Sequence, residues 1–168
     1  PCFQQTKYLE FIPRDQGGGG FVGELSADDP NIARATRTGG KEILPSGNEL
    51  VKSDQHYCML IGSDGLYQPV IVDMKSTQLS VSRRWKTQIA MLKVKDAQGV
   101  LKTPALFGTV WRLTTVEQSN DMGTWYNWSV EKVKMIDDEA LLQEAISFRK
   151  SVQKGEAKAV VEDHGEKA

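Results

Sequence analysis

The sequence predicts a mainly β protein of the α+β class, built as a small barrel with one helix inserted between strands and a second helix at the C-terminal end. Three observations predict it. Short runs rich in Val, Ile, Thr, Phe, Tyr and Trp recur between clusters of turn-forming residues. Two segments change from alternation to the three-and-four spacing of an amphipathic helix. With 168 residues, 39% apolar and 26% charged, the chain can bury one core without disulfides or metals, so one domain is the default.

The segment 7–12 alternates polar and apolar residues as a first strand does, and Pro13 with the glycines at 17–20 ends it in a flexible loop. After the apolar run 21–25, residues 26–40 carry turn formers and little periodicity, which reads as a long basic loop containing Arg34 and Arg37. Lys41 to Leu44 and Glu49 to Lys52 flank Pro45-Ser46-Gly47-Asn48 as a short hairpin. His56 to Ile61 and Tyr67 to Met74 form a larger one around Ser63-Asp64-Gly65, with Val70, Val72 and Met74 on one face.

Val81, Trp85, Ile89 and Leu92 then share the stripe of a helix over 80–93, with Ser76, Ser80 and Ser82 as competing N-caps and a turn at 96–99 after it. Strands follow over 105–115 and 124–135, joined by the polar stretch 117–123 and paired with each other. The final helix starts at Asp137, buries Leu141, Ala145, Phe148 and Val152, and ends at Gly155. Strands around an inserted helix suggest an OB-like barrel over 1–155, with a β-sandwich as the alternative, and 156–168 reads as a mobile tail.

The formal net charge is −1, so attraction for a polyanion depends on how the cations are distributed, since their total gives none. Cys2 and Cys58 do not make a disulfide framework and fit a reducing cytoplasm. No apolar run is long enough to cross a bilayer as a helix, and the opening PCFQQTKYLE lacks the order of a signal peptide, so no membrane association is expected.

Chemistry is sparse. His56 and His164 are the only histidines, so no Ser-His-Asp or Cys-His constellation can be assembled from sequence, and His56 with Cys58 falls short of the three or four ligands of a metal site. The bland alternative is a strand histidine beside a core cysteine. GGGG is followed by Phe21-Val22 where a phosphate loop needs Lys and Ser or Thr, and Gly39-Gly40-Lys41 is followed by Glu42. Asp137-Asp138-Glu139 sits at a helix start, where capping explains it. No enzyme activity, metal or cofactor is expected.

What remains is a set of cations and rings: Arg34, Arg37, Lys41, Lys75, Arg83, Arg84, Lys86, Arg112, Trp125 and Tyr126. Such groups bind unpaired nucleic-acid strands, rings stacking on bases and cations following phosphates. Packing competes for the same residues. Trp111, one of Trp125 and Trp128, and Trp85 on its helix stripe are expected in the core, with Trp125 and Tyr126 on opposite faces of their strand.

The stretches VIVDMKSTQLSVSRRWKTQI (70–89), LFGTVWRLTTVEQSNDMGTWYNWSV (106–130) and SFRKSVQKGE (147–156) resemble small proteins of tailed bacteriophages, most closely phage single-stranded-DNA-binding proteins of OB type. That resemblance implies coating of single-stranded DNA in the host cytoplasm during replication or recombination, with other phage replication proteins as further partners and a homo-oligomer as a compatible state. The ending GEKA departs from the acidic tail with a terminal apolar docking motif found in bacterial-type single-strand binders, which puts tail-mediated recruitment in doubt. The alternative expectation is a phage virion structural or assembly protein: a decoration, tail or connector component whose loops at 13–20 and 26–40 order against neighbours.

Overall fold

The structure is a computed structural model and describes residues 1–14, 20–121 and 123–157. Ten strands and three α-helices follow in order: β1 (Phe3–Ile12), β2 (Gly20–Leu25), α1 (Pro30–Ala33), β3 (Thr36–Thr38), β4 (Lys41–Ile43), β5 (Glu49–Ile61), β6 (Tyr67–Lys75), α2 (Gln78–Met91), β7 (Val94–Lys95), β8 (Leu101–Lys102), β9 (Thr109–Asn120), β10 (Gly123–Met135) and α3 (Glu139–Gln153). The mainly β expectation holds, with the helices at α2 and α3 where the stripes place them.

The main sheet runs β2-β1-β5-β4-β3 with β6 also on β5, and it curls into a half barrel whose ends, β2 and β3, are not joined. β5 organises it. One edge of β5 takes β1 antiparallel from Phe3↔Tyr57 to Phe11↔Glu49, and the other is divided between β4 at Glu49 and Leu50 and β6 from Ser53 to Ile61. The sequence reading places separate strands at 49–52 and 56–61, whereas β5 is continuous, because Ser53, Asp54 and Gln55 are buried and their side chains find partners inside the fold.

Side chains alternate across β5, and each face has its own helix. His56 stacks on Trp85 of α2, while Tyr57 meets Phe148 of α3 with ring centroids 6.3 Å apart. The core on the α2 side joins Cys58, Met74, Val81, Trp85, Ile89 and Val130, with Val70, Val72, Trp111, Leu113 and Trp128 packed against it. Burial of each such side chain contributes about 1.5–3 kcal/mol, which makes the aromatic and aliphatic stripe of α2 the anchor between the sheet and the separate β9–β10 hairpin.

Several boundaries differ from expectation for local reasons. β1 begins at Phe3 because residues 3–6 complete the ladder on β5. The segment 26–40 is not a continuous loop. Asp29 caps α1 by accepting from Asn31 N, Pro30 opens the helix, and β3 then pairs with β4 from Thr36↔Ile43 to Thr38↔Lys41. α2 starts at Gln78, two residues early, after Ser76 in the left-handed region at φ 50°, and none of the three candidate serines is its cap.

The turn at 96–99 is the tip of a small hairpin of β7 and β8, closed by Asp96 accepting from Gln98 N and Val100 N. Residues 106–108 form a 3-10 turn before β9, and β9 continues through 117–120, where Asn120 stands opposite Gly123 of β10. Asp138 rather than Asp137 caps α3, accepting from Leu141 N, and Gly155 follows the helix with φ 76°. Most of the glycine loop at 17–20 and most of the tail at 156–168 lie outside the described residues.

Candidate functional site

The most connected polar cluster lies between β1, β5 and α2. Asp54 Oδ1 accepts from Thr6 Oγ1 at 2.7 Å, and Oδ2 accepts from Ser82 Oγ at 2.7 Å and from Lys86 Nζ at 2.8 Å. Since the Ser82 hydroxyl donates to Asp54, its oxygen accepts from His56 Nε2 at 2.8 Å, and His56 Nδ1 accepts from Gln4 Nε2 at 2.9 Å. Every bond in the chain is satisfied by this one ordering of protons.

Ser, His and Asp thus meet here, which sequence spacing did not anticipate. Their order differs from that of an acyl-transfer triad. There the imidazole stands between carboxylate and hydroxyl; here the hydroxyl of Ser82 stands between imidazole and carboxylate, and both Ser82 and His56 are fully buried. Burial first, and then the nearby Lys86 charge, push the imidazole down to about 4. Burial works to raise Asp54, but the bonds from Lys86, Ser82 and Thr6 and the Lys86 charge outweigh it and hold the carboxyl at about 2. What this geometry does is fasten α2 to the sheet in one register.

The ten cations and rings singled out from sequence do not form one surface. Arg34 ends α1, Arg37 lies on β3 and Lys41 on β4, where Lys41 bridges to Glu49 at 2.8 Å. Lys75 pairs with Asp73 at 2.8 Å, Lys86 belongs to the buried cluster, and Arg112 lies 4.0 Å from Glu131. The β9–β10 register puts Arg112↔Glu131 and Gln118↔Trp125 on one face and Glu117↔Tyr126 on the other, so Arg112 and Trp125 face away from Tyr126. Trp125 is half-buried, while Tyr126 is exposed with its hydroxyl on Glu117.

Arg83 and Arg84 are brought together with polar neighbours. They line a groove of about 650 Å³ between the first turns of α2 and the β9–β10 hairpin, with Ser80, Gln118, Asn127 and Ser129 around it. Both arginines are exposed, and among the described residues no carboxylate pairs with either and no Asp or Glu lines the groove. The sequence supplied the arginines. Gln118 and Asn127 were not legible as groove residues, since 117–123 reads as a connection and Asn127 as one of an alternating strand.

A second cleft, of about 590 Å³, is apolar. Cys58, Val72, Trp85, Trp111 and Trp128 line it together with Leu141 of α3. Three of the four tryptophans therefore serve the core or its margin, as the packing alternative expects. Exposed apolar side chains gather elsewhere: Leu60, Ile61 and Leu66 at the end of the β5–β6 hairpin, and Val100 and Leu101 at the β7–β8 tip. Among the described residues no cluster of three potential metal ligands occurs, and no helix is long and apolar enough to cross a membrane.

The architecture is that of a curled β half barrel braced by helices on both faces and carrying a long, separate two-stranded arm. A model of the Pam3 phage gp34-like protein family matches residues 1–158, and the chain belongs to that phage-encoded family. No curated protein and no solved structure matches it.

Proposed function

We propose that the chain is a phage virion structural or assembly protein, without enzyme activity, that docks on neighbouring proteins through its projecting hairpins. The observation that carries this reading is the β9–β10 arm. Residues 114–120 of β9 and 123, 124 and 126 of β10 are exposed, so more than half of β9 extends beyond the core on a two-stranded ribbon that lacks enough packing to be stable alone. Apolar side chains exposed at the β5–β6 and β7–β8 tips add surface of the kind that protein interfaces bury.

The test is the composition of purified particles. Mass spectrometry of phage particles should find the chain at a fixed stoichiometry, with cross-links from the arm to another virion protein. Absence from particles would overturn the reading.

Arg83 and Arg84, exposed and without a carboxylate partner among the described residues, favour a second reading, in which an OB-like half barrel coats single-stranded DNA during replication or recombination. It ranks below the first because Trp85, Trp111 and Trp128 are occupied in packing and Lys41, Lys75, Lys86 and Arg112 already face carboxylates. Salt-sensitive anisotropy change with a labelled oligothymidylate would restore it.

A further inference from the structure

We infer that the groove between α2 and the β9–β10 hairpin is a docking site for an acidic, extended peptide segment of a partner protein, held by Arg83 and Arg84. The inference rests on the assembly reading and names the chemistry of one partner. Among the described residues eight cations, Lys7, Lys41, Lys75, Lys86, Lys102, Arg112, Lys134 and Lys154, each have a carboxylate within 4.0 Å. Of the described cations without such a carboxylate, Arg83 and Arg84 are the two that line this concave site together. Two guanidiniums one helical step apart present planar donor forks that match carboxylates, and nothing negative in the groove competes for them.

The rest of the lining suits a polypeptide. Ser80, Gln118, Asn127 and Ser129 supply hydroxyl and amide groups for a backbone, and Val81, Val116 and Trp128 give an apolar floor. A nucleic-acid strand is fitted less well. Trp128, the aromatic among the groove's lining residues, is half-buried and packed on the core, so the groove itself offers no exposed ring as a stacking platform, and Arg34, Arg37 and Lys41 sit on α1, β3 and β4 instead of extending a phosphate track. Two unpaired cations give a weak electrostatic footprint for a polyanion.

The probe is a short fluorescein-labelled peptide alternating glutamate and glycine, titrated by anisotropy into the full chain at low salt, with labelled oligothymidylate in a parallel arm. Two altered proteins report on the groove: Arg83→Glu with Arg84→Glu, and Ser80→Glu, which places a carboxylate in the groove while leaving both arginines. Ser80 is exposed in the first turn of α2, where an acid suits the helix, so folding should persist and circular dichroism checks it. Arg37→Glu on β3 is the remote control.

The expected result is peptide binding that each groove variant weakens at least about tenfold and that Arg37→Glu leaves unchanged. Absence of peptide binding, equal weakening by Arg37→Glu, or tighter binding of the oligonucleotide than of the peptide would overturn the inference. Failure here with the chain still found in purified particles would sink the groove and leave the assembly reading intact.

Discussion

His56 lies against Trp85 with ring centroids 4.5 Å apart and planes 25° apart, and its Nε2 meets Ser82 on the same helix at 2.8 Å. One imidazole thereby joins a sheet strand to α2 through both its face and its edge. The stacking needs no charge, and the hydrogen-bond order from Gln4 through His56 and Ser82 to Asp54 needs the imidazole neutral.

The consequence for pH follows from the direction of the shift. His56 is held at about 4 in the fold and returns to about 6.5 when unfolded, so the unfolded chain binds the extra proton between those values and stability falls as pH drops through them. The full loss is roughly 3 kcal/mol. Urea unfolding at pH 7.5, 5.5 and 4 should show the midpoint falling steadily, and His56→Gln should flatten the slope. An unchanged slope in that variant would show that other groups carry the pH dependence.

Asp54 is the acceptor for three donors and only 3% exposed. Asp54→Ala strands the Lys86 ammonium and two hydroxyls and should cost about 3–5 kcal/mol. Lys86→Met leaves the carboxylate with Thr6 and Ser82 as donors, and about a third of the lysine side chain is already in water, so the loss should be smaller, about 1–3 kcal/mol. Denaturant midpoints of the two variants check the order. A larger loss from Lys86→Met would mean that the lysine, not the carboxylate, is the centre of the cluster.

The Trp85 indole nitrogen is buried and has no hydrogen-bond partner among the described residues. Phenylalanine at this position keeps much of the ring contact with His56 and with Trp111, whose centroid lies 6.1 Å away, and removes the unpaired donor. Trp85→Phe should therefore cost well under Trp85→Ala, for which about 3–5 kcal/mol is expected. The comparison is made by thermal melts, and equal losses would place the stability in the indole's full volume.

What sequence made legible tracks where local rules coincide with tertiary need. The stripe Val81-Trp85-Ile89 and the stripe Leu141-Ala145-Phe148-Val152 foretold which helix faces are inward, because a helix buries one face by spacing alone. Asp29-Pro30 was a local signal, an aspartate cap on Asn31 N, that a short helix of four residues makes easy to pass over, whereas the polar run Ser53-Asp54-Gln55 misled because its side chains are answered by Thr6, Gln5 and Ser82, far along the chain. The site was half visible. Arg83-Arg84 stood out as charge, but that Lys41, Lys86 and Arg112 face carboxylates is decided by sheet register and helix docking, which periodicity does not encode.

The β9–β10 arm gives the last expectation. Its base carries Trp111, Leu113, Trp128 and Val130 against the core, whereas residues from Thr114 outward on β9 have little to bury beyond their partner strand. Beyond the buried Asn127 and the half-buried Trp125, backbone amides near the tip are thus protected mainly by the ribbon's own ladder, and local opening there costs less than global unfolding. Hydrogen exchange of the isolated chain should show fast exchange at 116–120 and 123–126 beside slow exchange at 111–113 and 128–130. Slow exchange at the tip of the isolated protein would mean that the arm is already held by another copy, while protection that appears only in assembled particles is what docking of the arm on a neighbour requires.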